Sequence, residues 1–341
     1  MASHPPLLTA VSSSARQLLL LLRCISFSKK SRVRISAEGI RFSTEEGSIM
    51  EAFVFLEKSL FTSYTYNAPP PLSSQEDVPA PPYLEINLTA LLETLNIFGL
   101  SDPASAMGKR GGEYDSFATH RLNRHNAFST HALGMPAGIC TFSYAGSGSP
   151  LSIHMSESGV TTTCDLTTYE ASTTEEIPFN RDSLALKTIM RASSLLDTVT
   201  ELSSMNPETI TITATPGSAA SNNISFTSTG SLGSATVDFT TNTPLSTTAP
   251  ILETFQCPRK TSASFKFGLV KAAQRAMASA TKVSLRLDGE GVLSLQFLVE
   301  LVEGKEEGEG VAFVDFRVVP LFEGEDGEGH GEGNGGSSDE E

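Results

Sequence analysis

Tryptophan is absent, and cysteine occurs only as Cys24, Cys140, Cys164 and Cys257. The four are scattered and form no CxxC pair. That argues against a disulfide framework or a zinc knuckle and fits a reducing compartment. No run approaches the roughly 20 apolar residues that a membrane helix needs. The stretch Leu18–Leu22 is too short for that and weak as a signal-peptide core. A nucleophile elbow, a phosphate-binding loop and a dinucleotide fingerprint are all missing. Residues 1–37 lack acid, yet hold several serines with Arg16, Arg23, Lys29, Lys30, Arg32 and Arg34. This composition also suits a mitochondrial transit peptide, but the segment runs unbroken into an alternating hairpin and is read as folded.

At 341 residues the chain has room for one large or two ordinary domains. The formal charge of −15 is unevenly spread: from Glu300 onward 14 acids face only Lys305 and Arg317. The body is therefore near neutral with local basic patches, and the acidity belongs to a tail.

The stretch Phe265–Leu301 sets the pattern. Leu269, Val270, Ala273, Met277 and Ala280 recur at helical spacing, with Lys266, Lys271 and Arg275 mostly on the other face. Lys282–Leu287 and Val292–Val299 then alternate around Asp288-Gly-Glu-Gly291, a hairpin signal. Similar units recur. Ser12–Ser14 offer caps for a helix over Ala15–Cys24, followed by a hairpin through Glu38-Gly39. Strands are expected at Met50–Phe55 and Thr62–Tyr66, around a one-turn helix at Glu57–Leu60. Tyr83–Ile86 is a strand, Asn87–Phe98 an amphipathic helix with Asn87 or Thr89 near its cap and ended by Gly99, and Leu151–Met155 pairs with Val160–Leu166 after a strand at Gly138–Tyr144. A third helix is expected to start at Asn180-Arg-Asp182 and to run through Leu184, Leu186, Ile189, Met190, Leu195, Leu196, Val199 and Leu202. Thr209–Ala214 and Asn223–Ser228 form its hairpin. Further strands lie near Ala235–Thr240, Leu252–Cys257 and Val311–Val319. Residues 68–82 and 100–136 read as loops, Thr167–Pro178 as a polar linker without a core pattern, and 323–341 as a Gly- and Glu-rich tail. Ser337 and Ser338 precede Asp339-Glu-Glu and make a candidate phosphorylation or docking segment; a plain solubilising tail is the simpler reading. Four helix–hairpin units in two halves, too irregular for a solenoid, give an α+β protein of two similar domains, 1–166 and 179–322, joined by a connector over 167–178.

With this pattern the sequence resembles the PCNA-like sliding clamps, and more specifically the Rad-one subunit family of the heterotrimeric DNA-damage checkpoint clamp. The stretches that carry the likeness are Ala15–Ser26, Ile86–Gly99, Lys282–Leu298 and Val311–Phe316, within residues 9–322. The resemblance implies a ring with two other clamp subunits, helices lining the hole and sheets outside. Such a ring encircles double-stranded DNA without reading sequence, is placed by a clamp loader, and recruits checkpoint and repair proteins in the nucleus, with no cofactor and no membrane. It implies DNA-facing roles for Arg16 and Arg23 on the first helix, Lys187 and Arg191 on the third, and Lys266, Lys271 and Arg275 on the fourth. The second helix has Glu93 and no base, so the ring is not uniformly basic. Phe53, Leu298 and Phe313 are candidates for the wall of a partner pocket beside the connector. No catalytic residue is assigned. A 3′–5′ exonuclease would need carboxylates holding metals, and Asp165, Asp182, Asp238 and Asp288 read instead as turn, cap and strand-end residues. His120, His125 and His131 lack the spacing of a metal cage; Lys109, Arg110, Arg121 and Arg124 share their loop. A homotrimeric replication clamp is the other alternative.

Overall fold

A computed structural model describes residues 5–68, 82–99, 139–157, 159–171, 175–216, 223–240, 251–301 and 310–322. The histidine and basic positions of the loop at 100–136, nearly all of the proline loop and the acidic tail lie outside these residues.

The first unit is β1 (Leu8–Ser12), α1 (Ala15–Cys24), β2 (Lys30–Ser36), β3 (Gly39–Glu46) and β4 (Met50–Glu57). A 3-10 turn at Lys58–Leu60 and β5 (Ser63–Tyr66) follow. The second is β6 (Tyr83–Asn87), α2 (Leu88–Gly99), β7 (Ile139–Tyr144), β8 (Leu151–Glu157) and β9 (Val160–Leu166), followed by the two-residue β10 (Tyr169–Glu170). The third is β11 (Leu184–Arg191), α3 (Ala192–Ser203), β12 (Pro207–Thr215), β13 (Asn223–Gly230) and β14 (Gly233–Thr240), with β15 (Leu252–Gln256) after it. The fourth is β16 (Thr261–Lys266), α4 (Phe267–Ala272), α5 (Gln274–Ser279), β17 (Lys282–Asp288), β18 (Leu293–Glu300) and β19 (Val311–Val318). Each unit is thus a lead strand, a helix and three strands.

The units exchange strands. The lead strand β1 joins β7–β9 and β5 in one side sheet, and β16 joins β12–β14 in the other. The central sheet has the order β10-β6-β2-β3-β4-β19-β18-β17-β11-β15. Its two halves meet where β4 pairs antiparallel with β19, Val54 opposite Val314. The order reads alike outward from that seam in both directions, a pseudo-twofold. Phe297 and Phe316 meet edge-on behind the seam at 5.7 Å, with Phe27 tilted against Phe316 at 6.2 Å. Such pairs add to the burial of the rings themselves.

Two expectations need correction. Leu184–Arg191 is a strand, not the start of the third helix. Leu186 and Met190 are buried, and the run pairs on both sides, with β17 and with β15. Leu184, Leu186, Ile189 and Met190 satisfy helical and alternating periods alike, and the two-sided pairing decides. Asp182 accordingly lies in the bend before β11 and caps no helix. The fourth helix starts after Lys266, which ends β16, and it breaks at Ala273 (φ −79°, ψ 0°) into α4 and α5. The other helices form as expected. Ser14 accepts from the Gln17 N–H at 3.3 Å, and Asn87 Oδ1 accepts from Ala90 at 3.1 Å.

The fourth unit's hairpin turns on Asp288. Its Oδ1 accepts from the Glu290 and Val292 N–H groups at 3.0 and 2.9 Å, and Oδ2 accepts from Asn180 N–H at 3.1 Å. The residue is buried. Asp288→Ala orphans these donors, and a loss of about 2–3 kcal/mol is expected, read as a lower urea midpoint; Asp288→Asn, which keeps an acceptor, should lose less.

Candidate nucleic-acid and partner interfaces

The helices make one layer in the order α2–α1–α5–α3, since α1 packs on α2 and α5, and α5 packs on α3. The apolar stripe of α1, including Leu18, Leu21 and Leu22, is buried toward the sheets. Its solvent side presents Arg16 and Arg23. The exposed side of α4 and α5 presents Lys271 and Arg275.

At the seam between the halves, two guanidinium groups are held as neighbours. Arg23 Nη2 donates to Asn96 Oδ1 on α2 at 2.9 Å. Arg275 Nη1 donates to Ser26 Oγ, just beyond α1. Burial, and then the nearby Arg275 charge, push Arg23 below its ordinary pKa. No carboxylate of the described residues forms an ion pair with either group. Two like charges held together by neutral acceptors keep most of their N–H donors for an anion, and Arg is the side chain suited to phosphate.

The outer helices are of the opposite character. α2 exposes Glu93, and α3 exposes Asp197 and Glu201 with no base along its length. The layer therefore carries a positive stripe down its middle, over α1, α4 and α5, with acidic flanks.

Three sequence-assigned bases fall outside that stripe. Lys187 lies on β11, and the alternation that buries Leu186 and Met190 toward the helices turns it to the opposite face of the central sheet. Arg191 ends β11 at the N-terminus of α3 rather than sitting on the helix. Lys266 is exposed at the end of β16, ahead of α4.

On the outer face of the central sheet, Leu298 and Phe313 are directly opposed on β18 and β19. Phe53 lies on β4 opposite Asp315. The structure brings all three expected wall residues to one face, and Phe313 remains 45% exposed. The sequence reading missed what lies beside them. Arg317 Nη1 pairs with Glu51 Oε1 at 2.9 Å, approaches Glu176 Oε2 at 3.6 Å, and donates to the Ile177 carbonyl at 2.7 Å. Arg41 Nη1 meets Glu176 Oε1 at 2.7 Å. The Arg41 guanidinium stands 4.1 Å and that of Arg317 5.4 Å from the Phe53 ring centroid. These contacts fasten the connector to the sheet, and Ile177 is buried there. The linker is therefore not devoid of core contacts, and it also supplies β10, which pairs with β6. Ile177, an apolar residue in a polar run, was the one local signal. Burial pushes the Glu51 carboxyl above its usual range despite the Arg317 charge. Burial would raise Glu176 too, but the Arg41 hydrogen bond and the two guanidinium charges hold it below.

The carboxylates weighed for metal chemistry are dispersed. Asp165 accepts from Ser152 on the adjoining strand, Asp238 lies exposed on β14, and Asp288 is occupied by its turn. Among the described residues no three His, Cys, Asp or Glu side chains converge.

The family described as Repair protein Rad1/Rec1/Rad17 matches residues 7–299 of the sequence. The chain belongs to that family. The DNA damage checkpoint control protein rad1 of Schizosaccharomyces pombe is 28% identical over 310 residues, covering 90% of this chain and 84% of that protein. The human cell cycle checkpoint protein RAD1 is 26% identical over 314 residues, covering 92% and 91%; the mouse protein of the same name is 26% identical, covering 92% of each. The crystal structure of the proliferating cellular nuclear antigen of Entamoeba histolytica superposes with a TM-score of 0.62. It shares 15% identity and covers 93% of this chain and all of that one. The PCNA-like fold and the Rad1-type membership implied by the sequence both hold, and they make the chain a Rad1-type checkpoint-clamp subunit.

Proposed function

We propose that this chain closes a ring with two different clamp subunits around double-stranded DNA in the nucleus. There it serves, without catalysis of its own, as a platform for checkpoint and repair proteins. Residues 1–166 and 179–322 are its two domains and 167–178 their connector. A clamp loader opens and closes the ring. The observation that carries this reading is the helix layer, whose positive stripe of Arg16, Arg23, Lys271 and Arg275 backs onto a sheet continuous across both halves. Contacts of that kind attract phosphates without reading bases. A closed ring needs few of them, because topology rather than affinity retains it. Phe53, Leu298 and Phe313, beside the fastened connector, are the surface offered to partners.

Native mass measurement of the assembly from cells tests the proposal. The expected species holds one copy of this chain with two other clamp-fold chains. A stable homotrimer, or a monomer indifferent to such chains, overturns it.

A further inference from the structure

The face of the central sheet turned away from the helices carries a second basic patch that the clamp reading does not use. Lys187 and Arg286 are directly opposed on β11 and β17, as are Arg191 and Lys282. Arg181, just before β11, is exposed and close enough for its charge, after burial itself, to lower the Arg286 pKa. Lys282 is taken by Glu253 at 2.8 Å. Arg286 donates to Gln296 at 2.9 Å, and Gln296 in turn bonds Asp315, a half-buried carboxylate near enough to feel the Arg181 and Arg286 charges. Asp182 stands exposed at the rim. Among the described residues no carboxylate forms an ion pair with Arg181, Lys187, Arg191 or Arg286.

The chain itself supplies a matching anion. The 19 residues after Phe322 hold eight acids and no Lys or Arg. They begin at the end of the sheet where Arg181 and Arg286 lie. Leu321 N–H donates to Ser264 O at 2.7 Å, and Pro320 packs against Gly291, in the β17–β18 turn. Arg286 lies two residues before that turn, and Asn180, the neighbour of Arg181, is bonded to Asp288 within it. Nineteen residues reach up to about 60 Å when extended, while the patch runs about 20 Å along β17. A tether this short sets an effective concentration of about a millimolar, enough for weak ion pairs to persist.

We propose that residues 323–341 bind in cis across Arg181, Lys187, Arg191 and Arg286 on the outer face of the C-terminal half. The tail then screens that face from other anionic ligands. This stands apart from the ring proposal, because it concerns the opposite face and needs no partner subunit.

Carbodiimide treatment of the full chain, which joins carboxylates to nearby lysine amines, tests it by peptide mass mapping. At about 50 mM salt, tail carboxylates are expected on Lys187 and Lys282 several-fold more often than on Lys260, Lys266 or Lys271. At about 0.5 M salt, where screening is much stronger, that preference should collapse. Arg181→Gln with Arg191→Gln, both exposed positions, should lower the Lys187 product several-fold while the protein stays folded. Equal labelling of all lysines, preference for Lys271 on the helix side or for Lys266 at the end of β16, salt-insensitive products, or no tail product at all overturns the proposal.

Discussion

Replacing Arg317 by Met is expected to cost about 3–5 kcal/mol of folding stability, the range for removing one partner of a buried ion pair. The Arg317 and Glu51 side chains are 15% and 6% exposed. Without the guanidinium, Glu51 is left as a buried carboxylate, Glu176 keeps only Arg41, and the Ile177 carbonyl loses its donor. Glu51 already lies above its ordinary pKa in the intact protein, so burial outweighs its pairing. The variant should raise it further. A group whose folded pKa is raised destabilises the fold as pH climbs through the unfolded value, so the deficit should be largest near neutrality and narrow below about pH 5. Glu176 has the opposite sign. Its depressed pKa gives stability that is present above the unfolded value and fades as pH falls through the folded one. Urea midpoints check both signs: the change between about pH 7 and pH 5 reads Glu51, and the change between about pH 5 and pH 3 reads Glu176. Glu51→Gln in the Arg317→Met background should recover most of the loss, because the uncompensated charge is the main cost. If Arg317→Met loses less than 1 kcal/mol, the fastening of the connector is not a stability element.

On the proposed ring around DNA, reversing Arg23 and Arg275 together to Glu is expected to weaken DNA retention about 100-fold near physiological salt. The slope of log affinity against log salt should flatten by about two. Both residues are surface groups bonded to neutral acceptors, so the fold should persist, and unchanged ring assembly is the control. Lys187→Glu on the far face should leave DNA retention unchanged. Asp197→Lys on α3 should raise it, because it extends the positive stripe into a flank that now repels phosphate. A double reversal that leaves the salt slope untouched would remove the seam from the DNA surface. Equal losses from Lys187→Glu would point to a second DNA path outside the ring.

The parts of the fold that were legible in the sequence were those with one unambiguous period and a chemical stop. The first helix has its serine cap, the second its asparagine cap, and the hairpin of the fourth unit its Asp-Gly turn. The third helix was misplaced because four apolar residues fit two periods. That single ambiguity moved Lys187 and Arg191 onto a helix and hid the acidic character of α3. Lead strands β1 and β16 are short, and each runs almost directly into a helix, so the helical signal masks them. The connector fastening left only Ile177 as a local trace, because its ion-pair partners are far apart in sequence, Arg317 and Glu51 by 266 positions. That Phe53, Leu298 and Phe313 share one sheet face was legible because alternation fixes which face of a strand a residue takes, even when the partner strand is unknown.

The place of β19 in the central sheet also constrains how the protein is made. It is the last strand along the described chain, yet it fills a central position, between β4 and β18. During synthesis the edge of β4 therefore stays unpaired until residue 318 has emerged. An edge open that long is a site for wrong pairing, and contacts of such sequence separation form slowly. Folding of the two halves into one rigid body is consequently a late event, and a chain interrupted anywhere before β19 leaves the protein with a sticky strand where its middle should be.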